Sequence, residues 1–160
     1  MNIFAVESCP VKSAQSLPDK LIVKMPLESA QMLSTAHRVL SGDSYCNSKG
    51  MYKTAHLNHP CSIWVRKSSD NYEWLYRHFV SLSMEFEKRY KKQHKSFIDH
   101  KDNLAILPYG IQHHGLTKFA QAMPDIYKNQ NHIKAYRDYM INEKHYAKWE
   151  KGTSKPIWWN

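Results

Sequence analysis

Glu28 has the sequence surroundings best suited to proton transfer. It follows Met25 and Leu27 and precedes Met32 in a segment with helical spacing. Burial among such apolar side chains would suit a carboxyl group to act as an acid or a base. The alternative is an exposed helical glutamate that pairs with Lys24, four residues earlier. From position alone, the exposed glutamate is the favoured interpretation.

Histidines are a second source of possible chemistry, because the chain contains ten of them. His56 and His59 lie in the run HLNHP, and His113 and His114 are adjacent, so together they could bind a metal ion. No HExxH motif or paired cysteine motif accompanies them. We therefore expect no metal site and assign His59 to DNA contact, with a core position as its alternative.

Positive charge exceeds negative charge across the chain. Its 23 Lys and Arg outnumber 14 Asp and Glu and give a formal net charge of +9. Such an excess favours nucleic acid as a partner. The run KRYKKQHK, residues 88–95, suits a phosphate backbone, although a solvated helix end would have the same composition. The residues expected to contact DNA in this run and in an aromatic patch near the C-terminus are Lys88, Arg89, Lys91, Lys92, Lys148 and Lys151.

Helices must position these residues. Asp19 is a candidate helix cap, and the apolar spacing predicts a helix from there to about Leu40, which Pro26 should kink or divide. Aromatic and aliphatic residues three and four apart predict a second helix after a capping pair, Asp70 and Glu73. A third helix is expected from near Asn131 past Tyr146.

The segments between these helices carry few periodic signals. Residues 41–58 and 96–124 are expected to be irregular, and the apolar residues 2–6 to form a packed arm or a short strand. The predicted fold is all-α (mainly α): one compact domain over residues 1–160, with three principal helices and irregular connections.

The sequence also bears on compartment and partners. Cys9, Cys46 and Cys61 have no metal-binding spacing and are expected to be reduced thiols in the cytoplasm. The first residues do not resemble a signal peptide, and no apolar run is long enough to span a membrane. We expect neither a membrane partner nor an obligatory protein partner.

Three stretches of the chain together resemble a known family. They are the apolar arm Met1–Phe4, the segment DKLIVKMPLE of residues 19–28, and His59 followed by NYEWLYRHFVSLSMEFEKRY of residues 71–90. Their order and the aromatic C-terminal tail are similar to the pyrimidine dimer DNA glycosylase and abasic-site lyase family, of the phage endonuclease V type. Leu21 and Leu27 stand where that family often has His and Arg.

The resemblance implies a DNA repair enzyme that acts on pyrimidine dimers or related damaged bases in double-stranded DNA, without a metal or other cofactor. The family's nucleophile is the N-terminal amine of the mature chain, which forms a Schiff base with the sugar. A bulky second residue such as Asn2 normally blocks removal of Met1, so Met1 would then supply that amine. If Met1 is removed, Asn2 would supply it. Glu28 would stabilise the sugar cation and remove the 2′ proton.

The resemblance also bears on DNA contacts and origin. Lys20, Lys24 and His59 would contact the DNA, and a phage-encoded chain would act in the host cytoplasm. Two other functions fit the residues: a non-catalytic helical nucleic-acid-binding protein and a hydrolase that uses a histidine-bound metal.

Overall fold

Seven α-helices and one short 3-10 turn form the secondary structure of the computed structural model, which describes residues 1–160. The helices are α1 (Pro10–Ser16), α2 (Asp19–Leu40), α3 (Asp43–Ser48), α4 (Pro60–Lys67), α5 (Ser69–Tyr90), α6 (Lys95–Leu104) and α7 (His132–Glu143), and the 3-10 turn is Asp125–Tyr127. No residue lies in a strand, which confirms the prediction of an all-α single domain. No helix is long and apolar enough to cross a membrane.

The two longest helices, α2 and α5, form the centre of the core. Each has 22 residues and buries a stripe of apolar side chains three and four residues apart. Met25 and Leu33 of α2 and Leu75 and Phe79 of α5 have no exposed surface. These are the two long helices that the apolar spacing predicts.

Pro26 does not divide α2, so one of its two expected effects is absent. The helix is continuous from Asp19 to Leu40. A proline inside a helix removes one N–H donor and crowds the carbonyl group four residues earlier. Burial of Ile22, Met25 and Ala30 on either side of Pro26 holds the two halves in register against that cost.

The predicted caps have other roles. Ser68 caps α5 through its hydroxyl, which accepts a hydrogen bond from the N–H of Asp70 at 3.3 Å, so the predicted pair of Asp70 and Glu73 is wrong. The turn lies at Ser68 because α4 ends at Lys67. Asp19 is the first residue of α2 and makes no cap bond, since its carboxylate points toward α5 and the C-terminal segment.

Four short helices lie where the sequence predicts connectors or makes no prediction. α1 and α4 lie in segments for which the sequence predicts no element, α3 lies within residues 41–58, and most of α6 lies within residues 96–124. Helices of six to ten residues depend on tertiary packing more than on their own propensity, so their periodicity is weak. α7 ends at Glu143 and does not continue past Tyr146.

Both ends of the chain pack on the helices. Ile3, Ala5 and Val6 are fully buried, which confirms a packed N-terminal arm without a strand. The C-terminal segment returns to the start of α2, where the N–H of Asp19 donates to the carbonyl oxygen of Lys148 at 2.9 Å. This pairing brings the C-terminal lysines beside α2.

Candidate active site

Glu28 lies at the meeting point of the N-terminal arm and α2. It is 8% exposed. Its Oε2 accepts a hydrogen bond from the backbone N–H of Asn2 at 3.0 Å and lies 3.6 Å from the N-terminal amine of Met1. Its Oε1 lies 3.1 Å from the Nζ of Lys24. Glu28 is therefore buried, so the alternative of an exposed glutamate is wrong, although the pairing with Lys24 that it predicts is present.

The side chain of Asn2 fixes the position of the arm. Its Oδ1 accepts hydrogen bonds from the N–H groups of Ile3 at 2.8 Å and Phe4 at 3.0 Å, and its Nδ2 donates to the carbonyl oxygen of Ala122 at 2.8 Å. Phe4 has a φ of +42°, which is uncommon for a residue other than glycine. These bonds hold a sharp bend and direct the backbone nitrogen of Asn2 at Glu28.

His59 is the N-cap of α4. Its Nδ1 accepts a hydrogen bond from the N–H of Cys61 at 3.1 Å, which leaves the ring proton on Nε2. Burial lowers the pKa of His59, and the positive N-terminal amine lowers this pKa further. The ring is therefore neutral at pH 7 and offers one N–H donor. A core role is excluded, because the side chain is only partly buried.

A groove that includes Lys24, the ion-pair partner of Glu28, brings together four of the predicted DNA-binding lysines. It has a volume of about 470 Å³ and lies between α2, the end of α5 and the C-terminal segment. The Nζ of Lys20 lies 4.7 Å from the ring centre of Tyr146, and that of Lys151 lies 5.2 Å from the ring centre of Tyr90. We call this cavity the lysine groove. Four lysines and two acidic residues line it together with two tyrosines and one valine: Lys20, Lys24, Lys148, Lys151, Asp19, Glu150, Tyr90, Tyr146 and Val23.

Arg89 is not available to DNA, which corrects the prediction for this residue. Its side chain has no exposed surface. The guanidinium group donates to Glu85 Oε2 at 2.9 Å, to Asp19 Oδ1 at 3.1 Å and to the carbonyl oxygen of Leu17 at 2.8 Å. A buried arginine needs such partners to offset its loss of water. Arg89 therefore joins α5 to the start of α2.

The other cations of the 88–95 run remain on the surface. Lys88, Lys91 and Lys92 are exposed at the end of α5. The Nζ of Lys88 donates to the hydroxyl of Thr153 at 3.1 Å, and Lys91 ends the helix with a φ of +60°. Their contact with DNA stays a prediction.

The histidines of the metal-hydrolase alternative do not form a common site. His113 Nδ1 pairs with the hydroxyl of Ser69 at 2.7 Å, and His59 Nδ1 is used by the cap of α4. No three or more His, Cys, Asp or Glu side chains are grouped to hold a metal ion. No observation of the structure favours that alternative.

Sequence reasoning missed two features of this region. One is the set of hydrogen bonds by which the Asn2 side chain holds the N-terminal arm, and the other is the pair of tyrosines in the lysine groove. Tyr90 is in the predicted second helix and Tyr146 follows α7, so only the folded chain brings them together. The sequence feature that could have indicated these tyrosines is a lysine close to each of them: Lys91 follows Tyr90, and Lys148 lies two residues after Tyr146.

Comparison with known proteins identifies a family for this chain. A family model described as pyrimidine dimer DNA glycosylase matches residues 1–99, more than half of the chain. The matched part contains the N-terminal arm, Glu28 and His59. No curated protein and no solved structure matched. The match over residues 1–99 shows that the chain belongs to the pyrimidine dimer DNA glycosylase family, whose members are DNA repair enzymes.

Proposed function

We propose that this DNA repair glycosylase is also an abasic-site lyase, and that it acts on pyrimidine dimers or related lesions in double-stranded DNA through its N-terminal amine. One observation carries the proposal: Glu28 Oε2 faces the amine of Met1 at 3.6 Å and the nitrogen of Asn2 at 3.0 Å. An amine and a carboxylate at this separation can share one reacting sugar.

The N-terminal amine is the best nucleophile among the nearby groups. α-Amino groups as a class lose their proton at lower pH than lysine side chains, so more of the free base is present at neutral pH. Burial raises the pKa of the Cys61 thiol to about 12, which keeps this neighbour protonated and inert. The Nζ of Lys24 is paired with Glu28 Oε1.

The proposed reaction has two stages. In the first, the lone pair of the amine attacks C1′ of the damaged nucleotide, and the base departs with the electron pair of the glycosidic bond. The carboxylate of Glu28 stabilises the positive sugar, and loss of a proton from nitrogen with opening of the sugar ring gives the Schiff base. In the second, Glu28 removes a proton from C2′, and the bond from C3′ to the phosphate oxygen breaks.

Two nitrogens are candidates for the attacking atom. If Met1 is retained, the amine belongs to Met1 and the nitrogen of Asn2 is an amide that holds Glu28. If Met1 is removed, the nitrogen of Asn2 becomes the amine at 3.0 Å from the same oxygen. The Asn2 side chain holds that nitrogen in place in either case.

The surroundings of Glu28 also suit DNA. Four lysines line the adjacent groove, and phosphate contacts by such side chains give affinity without reading sequence. Tyr90 and Tyr146 add aromatic surface against which a base or sugar can pack. The neutral His59 would contribute its Nε2–H as a donor to the DNA.

Reductive trapping tests the proposal. The protein is incubated with a duplex that contains one abasic site, borohydride is added, and the covalent complex is digested and its peptides are sequenced by mass spectrometry. We expect the DNA adduct on the nitrogen of residue 1 or residue 2. A duplex without the abasic site and protein acetylated at its N-terminus are the controls. No adduct, or an adduct only on a lysine, would refute an N-terminal nucleophile.

A further inference from the structure

Lys24 pairs with the carboxylate that also faces the N-terminal amine. Its Nζ lies 3.1 Å from Glu28 Oε1, while the amine of Met1 and the N–H of Asn2 face the other oxygen, Oε2. Its side chain is 60% exposed and lines the lysine groove. Lys24 is therefore the lysine of that groove that also contacts the proposed base.

We propose that Lys24 is a catalytic residue of the elimination step, where its ammonium group holds the departing 3′ phosphate while Glu28 takes the 2′ proton. The lysine groove then carries the DNA strand on the 3′ side of the lesion. This inference rests on the proposed lyase function and adds a leaving-group site to it.

Elimination develops an additional negative charge on the leaving phosphate, close to the base. The C2′–H bond breaks and its proton goes to Glu28, while its electron pair becomes the C2′=C3′ double bond of the Schiff base. The C3′–O bond breaks and its electron pair stays on oxygen, so a phosphodiester with one negative charge becomes a monoester with two. An ammonium group beside that oxygen stabilises the added charge.

The geometry of the sugar matches the positions of the two side chains. The proton leaves C2′ and the oxygen leaves C3′, and these carbon atoms are bonded to each other. The base and the cation must therefore lie within a few ångströms, as Glu28 Oε1 and Lys24 Nζ do at 3.1 Å. An ammonium group has three donors, so Lys24 can keep its bond to Glu28 and still bind a phosphate oxygen.

The simpler explanation is an ion pair between residues four apart on a helix surface. Lys134 and Asp138 form such a pair on α7, with the same spacing and a lysine that is 59% exposed. Lys134 does not line the lysine groove. Lys134→Gln is therefore the matched control for Lys24→Gln, because each removes one helical ion pair and one positive charge.

The test measures two rates in one sample under single-turnover conditions, with protein in excess and saturating over a duplex that carries a preformed abasic site. Borohydride trapping at successive times gives the rate of Schiff base formation, and a denaturing gel gives the rate of strand cleavage. We expect Lys24→Gln to slow cleavage roughly 100- to 1,000-fold, as for loss of one charge-stabilising donor, with trapping nearly unchanged. Lys24→Arg should retain most of the cleavage rate, and Lys134→Gln should match wild type.

A modified substrate separates catalysis from structure. A bridging sulfur at the 3′ position departs readily and needs little charge stabilisation, so it should restore cleavage by Lys24→Gln toward the wild-type rate. Equal losses of trapping and cleavage, no rescue by sulfur, or the same result for Lys24→Gln and Lys134→Gln would overturn the role of Lys24. Absence of trapping by wild type would instead refute the lyase function itself, so the two failures are distinguishable.

Discussion

Arg89→Met should destabilise the fold strongly while leaving the electrostatics of DNA binding unchanged. The guanidinium group has no exposed surface and bonds Glu85, Asp19 and the carbonyl oxygens of Leu17 and Gln15. Methionine has a similar length but no donor. The substitution leaves two buried carboxylates without their cation and two carbonyl groups without this donor.

The expected loss follows from these contacts. Breaking a buried ion pair by removing one partner costs about 3–5 kcal/mol of unfolding free energy. A chain of this size loses roughly 2–4 °C of melting temperature per kcal/mol, so the melting temperature should fall by roughly 6–20 °C. Lys88→Gln, one residue earlier and exposed, should change the unfolding free energy by less than about 0.5 kcal/mol.

Urea unfolding followed by tryptophan fluorescence measures the unfolding free energy of the variant and of wild type. Titration with DNA at several salt concentrations measures whether the electrostatics of DNA binding change. A residue that contacts a phosphate lowers the slope of log K against log salt by about 0.9 when it is removed. Arg89→Met should keep the wild-type slope at a temperature where it is folded. A loss of unfolding free energy below about 1 kcal/mol, or a salt slope lowered by about 0.9, would refute a structural role for Arg89 in the buried network.

Three further predictions concern the base, the groove and the core. Glu28→Gln should keep duplex binding and lose strand cleavage in a gel assay, because an amide cannot accept the 2′ proton; unchanged cleavage would remove Glu28 from the mechanism. Replacing Lys20, Lys148 and Lys151 by Gln should lower the salt slope by up to roughly 2.7 if each contacts one phosphate, for damaged and undamaged duplex alike, and an unchanged slope would mean that the groove does not hold DNA. Burial lowers the pKa of His78 to about 4, below the usual value of 6.5. Between pH 4 and pH 6.5, His78 is therefore protonated in the unfolded chain and neutral in the folded chain. The unfolding free energy should therefore fall as pH drops through this window, by about 2 kcal/mol at pH 5, and His78→Asn should flatten that dependence in urea titrations; equal pH dependence in the two proteins would contradict the assignment.

The long helices were predictable because their signal is long. α2 and α5 repeat apolar side chains over 22 residues each. A periodic pattern of that length predicts a helix even when it contains one proline or when its cap is assigned to the wrong residue. α4 has eight residues, and its start depends on Pro60 and on the His59 ring as a cap. Imidazole caps have no simple sequence pattern, so this helix could not be predicted from periodicity.

The charge run at the end of α5 shows a different limit. Composition identifies KRYKKQHK as basic but does not say which side chains face outward. Arg89 follows Phe86 by three residues and Leu82 by seven, which puts it in phase with the buried stripe. Glu85, four residues before Arg89, is the buried partner on the same face. The phase of the helix therefore separates a structural arginine from exposed lysines better than the charge count does.

The position of the reacting nitrogen depends on residues that the charge and periodicity of the chain do not reveal. Asn2 bonds the two following N–H groups with its Oδ1 and the distant carbonyl oxygen of Ala122 with its Nδ2, so the bend at Phe4 is held from both sides. None of these bonds uses the backbone nitrogen of Asn2, which remains free to face Glu28. The Asn2 side-chain bonds thus position the backbone nitrogen of Asn2 in both forms of the chain. This nitrogen is an amide that fixes Glu28 when Met1 is present, and it is the free amine when Met1 is absent. The geometry at Glu28 is consequently compatible with the proposed chemistry for either form of the N-terminus, and only the identity of the attacking nitrogen differs between them.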